Sequence, residues 1–117
     1  MARYCTVSYL EMEAAHCWLE LGKPEKAVTA LEKGLNSWNP SARRDLGLCL
    51  ARLATAHASV GQSREAVDVV QHSLAIMAET QSHRTARQVN QVIRYLGSSN
   101  ARDQARKVHH ALQKTLR

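Results

Sequence analysis

Apolar residues recur along this chain at three- and four-residue spacing, the period of an amphipathic helix. Ala86, Val89, Ile93 and Leu96 form one such stripe, and Ala101, Ala105, Val108, Leu112 and Leu116 a second. Ala66, Val67, Val69, Val70 and Leu74 form a third. The punctuation between stripes sets the boundaries. Gly22 and Gly61 mark turns, and Pro24 suits the first turn of a helix, where its missing N–H leaves nothing unpaired. Asn39, Pro40 and Ser41 stop the second helix and offer Ser41 as N-cap of the third, with Asp45 near its first turn. The third helix runs to about Ser59, and the fourth opens at Gln62 or Ser63 and fades around Glu79 and Thr80. Gln81 and Ser82 form the next joint, and Gly97, Ser98 and Ser99 separate a fifth helix from a sixth that begins near Asn100. The pattern predicts an all-α chain of six helices in three antiparallel hairpins.

The hairpins repeat. The segment from Leu21 to Val28 aligns with that from Val60 to Val67, and the match continues without a gap through Leu31 with Val70 and Leu35 with Leu74, a period of 39 residues. Ala27 and Ala66 place a small residue where the second helix of each pair must approach the first closely. The units are residues 2–40, 41–80 and 82–117 of one domain. In the third, Gly97 takes the turn position and Arg102 falls where the small residue is expected, with Ala101 and Ala105 nearby, which leaves the register of this unit open.

Composition fits this picture. The chain of 117 residues has no Phe and only two Trp, so its core is built from Ala, Leu and Val, which disfavours a β-sandwich. No stretch approaches 18 apolar residues and no secretory leader is readable, so a cytoplasmic protein is expected. Cys5, Cys17 and Cys49 form no C-x-x-C pair and read as three buried thiols. The six His lack metal-ligand spacing, and neither metal nor cofactor is expected. Trp18 reads as core, and Trp38 as a wedge between units.

Charge is distributed unevenly. The formal net charge is +6, yet residues 1–82 hold eight Lys or Arg against nine acids, whereas residues 83–117 hold eight against Asp103 alone. The surplus points to an anionic partner for the third hairpin: an acidic peptide, nucleic acid or an acidic surface of the same assembly. A solvated basic face is the alternative.

The repeat pattern resembles the tetratricopeptide repeat (TPR), which sets an aliphatic and a small residue in the first helix, then an aromatic, a Gly, and an Ala in the second helix. Unit one offers Ala14, Ala15, Trp18, Gly22, Ala27 and Leu31; unit two offers Leu53, Ala54, His57, Gly61, Ala66 and Val70. Glu11 and Leu50 stand where the family has Trp, and 39 residues exceed the common period of about 34. The segments from Glu13 to Pro24 and from Arg44 to Ala54 look like the C-terminal TPR region of actinobacterial Xre-type helix-turn-helix regulators. The resemblance implies a right-handed superhelical array and a role in sensing or protein contact. The expectation is either a stand-alone relative or the severed tail of a larger regulator.

A stacked array lines a concave groove with the first helix of each pair. By analogy with that groove, unit one contributes Tyr9, Met12, His16, Leu19 and Glu20, and unit two Leu48, Ala51, Thr55, Ala58 and Ser59. Unit three contributes Arg84, Arg87, Gln91, Arg94 and Tyr95, of which 84, 87, 91 and 94 fall within about 80° on a helical wheel. Three guanidiniums on one face suit carboxylate or phosphate, so the expected ligand is a peptide with an acidic group. No nucleotide, metalloprotease or Ser-elbow motif is present, which leaves a non-catalytic interaction module as the leading class. Nonspecific nucleic-acid binding through Arg102, Arg106, Lys107, Lys114 and Arg117 is the second class. Self-association through Tyr4, Val7 and Leu10 of helix 1 or the outer face of helix 6 is the third.

Overall fold

A computed structural model describes residues 7–35 and 41–117, with side chains from Leu10 onward in the first helix. Six helices are found among these residues, and no strand. They are α1 (Val7–Glu20), α2 (Pro24–Leu35), α3 (Arg43–Ser59), α4 (Ser63–Thr80), α5 (His83–Ser98) and α6 (Arg102–Thr115). Consecutive helices pack as pairs, α1 on α2, α3 on α4 and α5 on α6. Between pairs, α3 lies against α1 and α5, α2 against α3, and α4 against α6. No helix among the described residues is long and apolar enough to cross a membrane. Cys5, the Trp38 wedge, the Asn39 and Pro40 stop and the Tyr4 part of the outer face lie outside the described residues, as do the side chains of Val7 and Tyr9.

The 39-residue repeat extends to individual hydrogen bonds. Gly22 and Gly61 have φ of 72° and 82°, the left-handed conformation that a side chain disfavours and Gly adopts freely. The chain reversal in unit one is closed by the Lys23 N–H donating to Trp18 O at 2.8 Å. In unit two the equivalent pair, 39 residues on, is Gln62 N–H to His57 O at 2.9 Å. Adding 39 again gives Ala101 N–H to Leu96 O at 3.0 Å, with Asn100 at φ 66° in the place of the Gly. Asn is the residue other than Gly that best tolerates this conformation. The third unit therefore keeps the register. Its turn residue is Asn100 and its small residue Ala105, aligned with Ala27 and Ala66, while Gly97 lies inside α5. This corrects the expectation that Gly97, Ser98 and Ser99 form the turn, that α6 starts near Asn100 and that Arg102 occupies the small-residue position.

Two clusters form the core, and α3 separates them. One combines Met12, Ala15, Ala27, Ala30 and Leu31 with Leu48, Cys49, Leu53 and Ala56. The other combines Ala51, Ala54 and Ala58 with Ala66, Val70, Leu74 and Met77 of α4, Val89, Val92 and Leu96 of α5, and α6. These α3 residues fall on opposite sides of its helical wheel, so α3 is buried at every position from Gly47 to Ala58 except the half-buried Leu50. Gly47 permits that closeness on the α4 side: a Cβ there would lie 3.1 Å from Ile76 Cγ2, and Ser73 Oγ donates to Gly47 O at 2.8 Å.

Several local expectations are revised. Ser41 is not the N-cap of α3, which is Ala42 and makes no side-chain cap bond; the helix begins one residue later. Its start is fastened to the end of α4 instead, by Arg43 donating to both carboxylate oxygens of Glu79 at 3.2 and 3.1 Å and by Arg44 donating to Thr80 O. Cys17 is exposed, and Cys49 alone of the described cysteines is buried. Leu116, assigned to the α6 stripe, is 42% exposed beyond the helix end. Trp18 is only half-buried: its ring borders the first core cluster and is covered by Lys26 Nζ, 4.6 Å from the centroid.

At the joint into α5, Ser82 caps the helix by accepting from the Thr85 N–H. Thr85 itself is 1% exposed, and its hydroxyl has no hydrogen-bond partner. A buried hydroxyl without a partner carries its full desolvation cost, so Thr85→Val, which keeps the shape, is expected to stabilise by about 1 kcal/mol. Urea unfolding would read this as a higher midpoint at unchanged slope. A lower midpoint would show that the hydroxyl is satisfied in solution.

Candidate functional site

Because α1, α3 and α5 lie side by side, residues at equivalent positions of the three units converge on one surface. Three hollows run along it. The largest shared one, about 220 Å³, is bordered by His16, Leu19 and Glu20 of α1, Thr55 of α3, and Gln88, Gln91 and Tyr95 of α5. A second, about 190 Å³, is bordered by Leu48, Arg52, Arg84, Arg87, Gln88 and Gln91. A third is bordered by Gln91, Arg94, Tyr95 and Ser98. Gln91 borders all three, and so marks the middle of the surface.

Of the residues named from sequence, the structure brings His16, Thr55, Arg84, Arg87, Gln91, Arg94 and Tyr95 together here, with Leu19, Glu20 and Leu48. His16 and Glu20 sit 3.6 Å apart on one turn-to-turn edge of α1. Thr55 is held from both sides: its hydroxyl donates to Ala51 O at 2.9 Å and accepts from Gln88 Nε2 at 2.8 Å, which ties α3 to α5 across the surface. Arg84, Arg87, Arg94 and Tyr95 are exposed.

Met12 does not belong to the surface. It is 1% exposed in the first core cluster, because its unit-two equivalent is Ala51, which faces the core as well. Ala51 and Ala58 are likewise buried and offer no accessible side chain. Ser59 donates to Ala56 O at the end of α3. Tyr9 is in α1, but its side chain lies outside the described residues.

Two contributors were missed. Gln88 is one, and Arg52 is the more informative. Arg52 is 6% exposed in an Ala-rich helix; its Nη1 donates to Met12 O at 3.5 Å and to Glu13 Oε2 at 3.4 Å, and its Nε, screened from solvent, has no partner. A buried guanidinium is tolerated only where its donors are met, and here one is not. The repeat held the signal. Glu13, Arg52 and Gln91 are 39 residues apart in succession and so occupy one position in the three units.

Electrostatically the surface has two sides. The α1 side carries Glu13, His16 and Glu20, and the α5 side Arg84, Arg87 and Arg94. A ligand spanning it therefore meets acceptors on one side and guanidinium donors on the other. No protein-family model, curated protein or solved structure matches this chain.

Proposed function

We infer that this chain is a non-catalytic peptide-interaction module of TPR type, a right-handed stack of three hairpins whose first helices form the binding face. One observation carries the reading: α1, α3 and α5 border adjoining hollows on one surface, a furrow with guanidiniums along its α5 side. Repeat arrays use such surfaces for extended or helical segments of partners, and Arg side chains bind carboxylate or phosphate through paired donors. The role in which this serves best is partner recognition by a transcriptional regulator or by a free-standing adaptor.

Panning a random peptide library against the immobilised chain is expected to enrich peptides with an acidic group. Replacing Arg87 and Arg94 together by Ala should weaken the enriched peptides about tenfold or more, since hydrogen bonds to charged groups contribute about 1.5–3 kcal/mol. Unchanged affinity overturns the guanidinium face as the contact.

A second reading, nucleic-acid binding, is favoured by the exposure of Arg102, Arg106, Lys107 and Lys114 on α6. Backbone-phosphate binding of this kind is steeply salt-dependent. Duplex binding that stays tight near about 200 mM salt would contradict the peptide reading, because counterion release has by then removed most nonspecific affinity.

A further inference from the structure

We propose that the hollow bounded by Arg52, Arg84 and Arg87 is a phosphomonoester subsite, shaped to take a phosphorylated side chain of the peptide that lies on the furrow. This assignment rests on the peptide-binding reading and specifies the group recognised.

Three features of the hollow support it. The first is charge. Its border holds three guanidiniums and no acid, and among the described residues the carboxylate paired with this set is Glu13, 3.4 Å from Arg52. The remaining charge is about +2, which matches a phosphomonoester at neutral pH, at about −1.5 to −2, better than the single charge of a carboxylate. The second is the buried donor. Arg52 borders the hollow and its buried Nε has no protein acceptor, so a small rotation of the guanidinium toward a bound oxyanion would pair a donor that the fold leaves unmatched. The third is the helix that supplies the other two arginines. The first turn of α5 contains no acid, as is also true of α1, whereas those of α2, α3, α4 and α6 contain Glu25, Asp45, Glu65 and Asp103. The positive end of the α5 dipole therefore meets no acid from its own first turn.

The neutral partners are consistent with recognition by donors. Gln88 and Gln91 border the same hollow, and Gln88 is fixed by its bond to Thr55. At about 190 Å³ the space is large enough for one tetrahedral anion and the end of a side chain.

The test compares three small probes at neutral pH: N-acetyl-O-phosphoserine amide, its O-sulfate isostere, which is tetrahedral but singly charged, and N-acetylglutamate amide. The Nε–H resonances of Arg52, Arg84 and Arg87 are followed by NMR. Phosphoserine is expected to shift all three and to bind at least about tenfold more tightly than either singly charged probe. Arg84→Ala and Arg87→Ala, both exposed and safe for folding, should each reduce that binding about tenfold, and Arg106→Ala on α6 should not. Arg52→Lys, which keeps the charge but not the fork, should reduce it about tenfold at a temperature where circular dichroism shows the variant fully folded. Inorganic phosphate is the fourth arm. Binding weaker than that of phosphoserine upholds a peptide source, and binding equally tight overturns it in favour of free phosphate. Glutamate or sulfate binding as tightly as phosphoserine overturns the phosphomonoester assignment while leaving the acidic-peptide reading intact. No shift with any probe overturns the subsite, and the peptide panning then decides the furrow on its own.

Discussion

Leu96→Ala is expected to lower the free energy of unfolding by about 2–5 kcal/mol, and Leu31→Ala by a similar amount, yet the two should loosen different parts of the molecule. Both leucines are 0% exposed, so truncation removes the transfer free energy of the lost atoms and leaves a cavity that close-packed neighbours refill only in part. Leu31 belongs to the cluster between α1, α2 and one side of α3, and Leu96 to the cluster between the other side of α3 and α4 to α6. In a stack whose units touch only their neighbours, a local loss is felt first by the elements sharing that cluster. Hydrogen exchange should therefore show early loss of protection in α1 and α2 for Leu31→Ala, with α4 to α6 still protected. For Leu96→Ala the loss should appear in α5 and α6, with α1 and α2 less affected. Equal loss over all six helices in both variants would show one cooperative unit and contradict the division at α3.

That division explains what the sequence disclosed and what it concealed. The hairpins, the first two turns and most of the stripes of α5 and α6 follow from periodicity, because each of those helices has one wet side, although the stripe read for α5 omits the fully buried Val92 and that for α6 includes the exposed Leu116. α3 does not: it is dry on two sides, with larger residues Leu48, Cys49 and Leu53 on one and Ala51, Ala54 and Ala58 on the other. A helix buried on both sides gives little amphipathic signal, so the narrow stripe it contributes to the furrow, Leu48, Arg52 and Thr55, is not separable by pattern from its core. Arg52 has no signal in the sequence of α3 itself, because the carbonyl and carboxylate that bond it come from α1. Met12 was misplaced for the converse reason: spacing along α1 does not say which edge of a partly buried face meets the furrow.

The third unit teaches something different. Its turn was sought at the only nearby Gly, Gly97, whereas the unbroken 39-residue period points to Asn100 and Ala105. Residue identity misled where spacing did not, since Asn meets the same backbone requirement as Gly22 and Gly61. The basic third hairpin also divides once placed in three dimensions. Arg84, Arg87 and Arg94 face the furrow, whereas Arg102, Arg106 and Lys107 are exposed on α6, and Arg106 is engaged by Asp103 at 2.7 Å.

Ala66→Leu tests whether the small residue of each repeat is a packing requirement or a matter of helix propensity. Ala and Leu are both strong helix formers, so the exchange barely alters the intrinsic stability of α4. Its cost must then come from space. Ala66 is 0% exposed and lies in one cluster with Ala51, Ala54 and Ala58, a set of short side chains that lets α3 and α4 approach closely. Three added carbons at that contact force rotamer or backbone shifts, and a penalty of about 1–3 kcal/mol or more is expected. The equivalent exchanges should not be equal. Ala27→Leu, also at 0% exposure, should cost about as much, whereas Ala105 is 7% exposed near the end of the stack, where α6 has no further hairpin behind it among the described residues, and Ala105→Leu should cost least. Denaturant midpoints for the three variants measure the order. A neutral Ala66→Leu would mean that the helix pair has slack at its contact, and that the alignment of Ala27, Ala66 and Ala105 reflects composition instead of geometry.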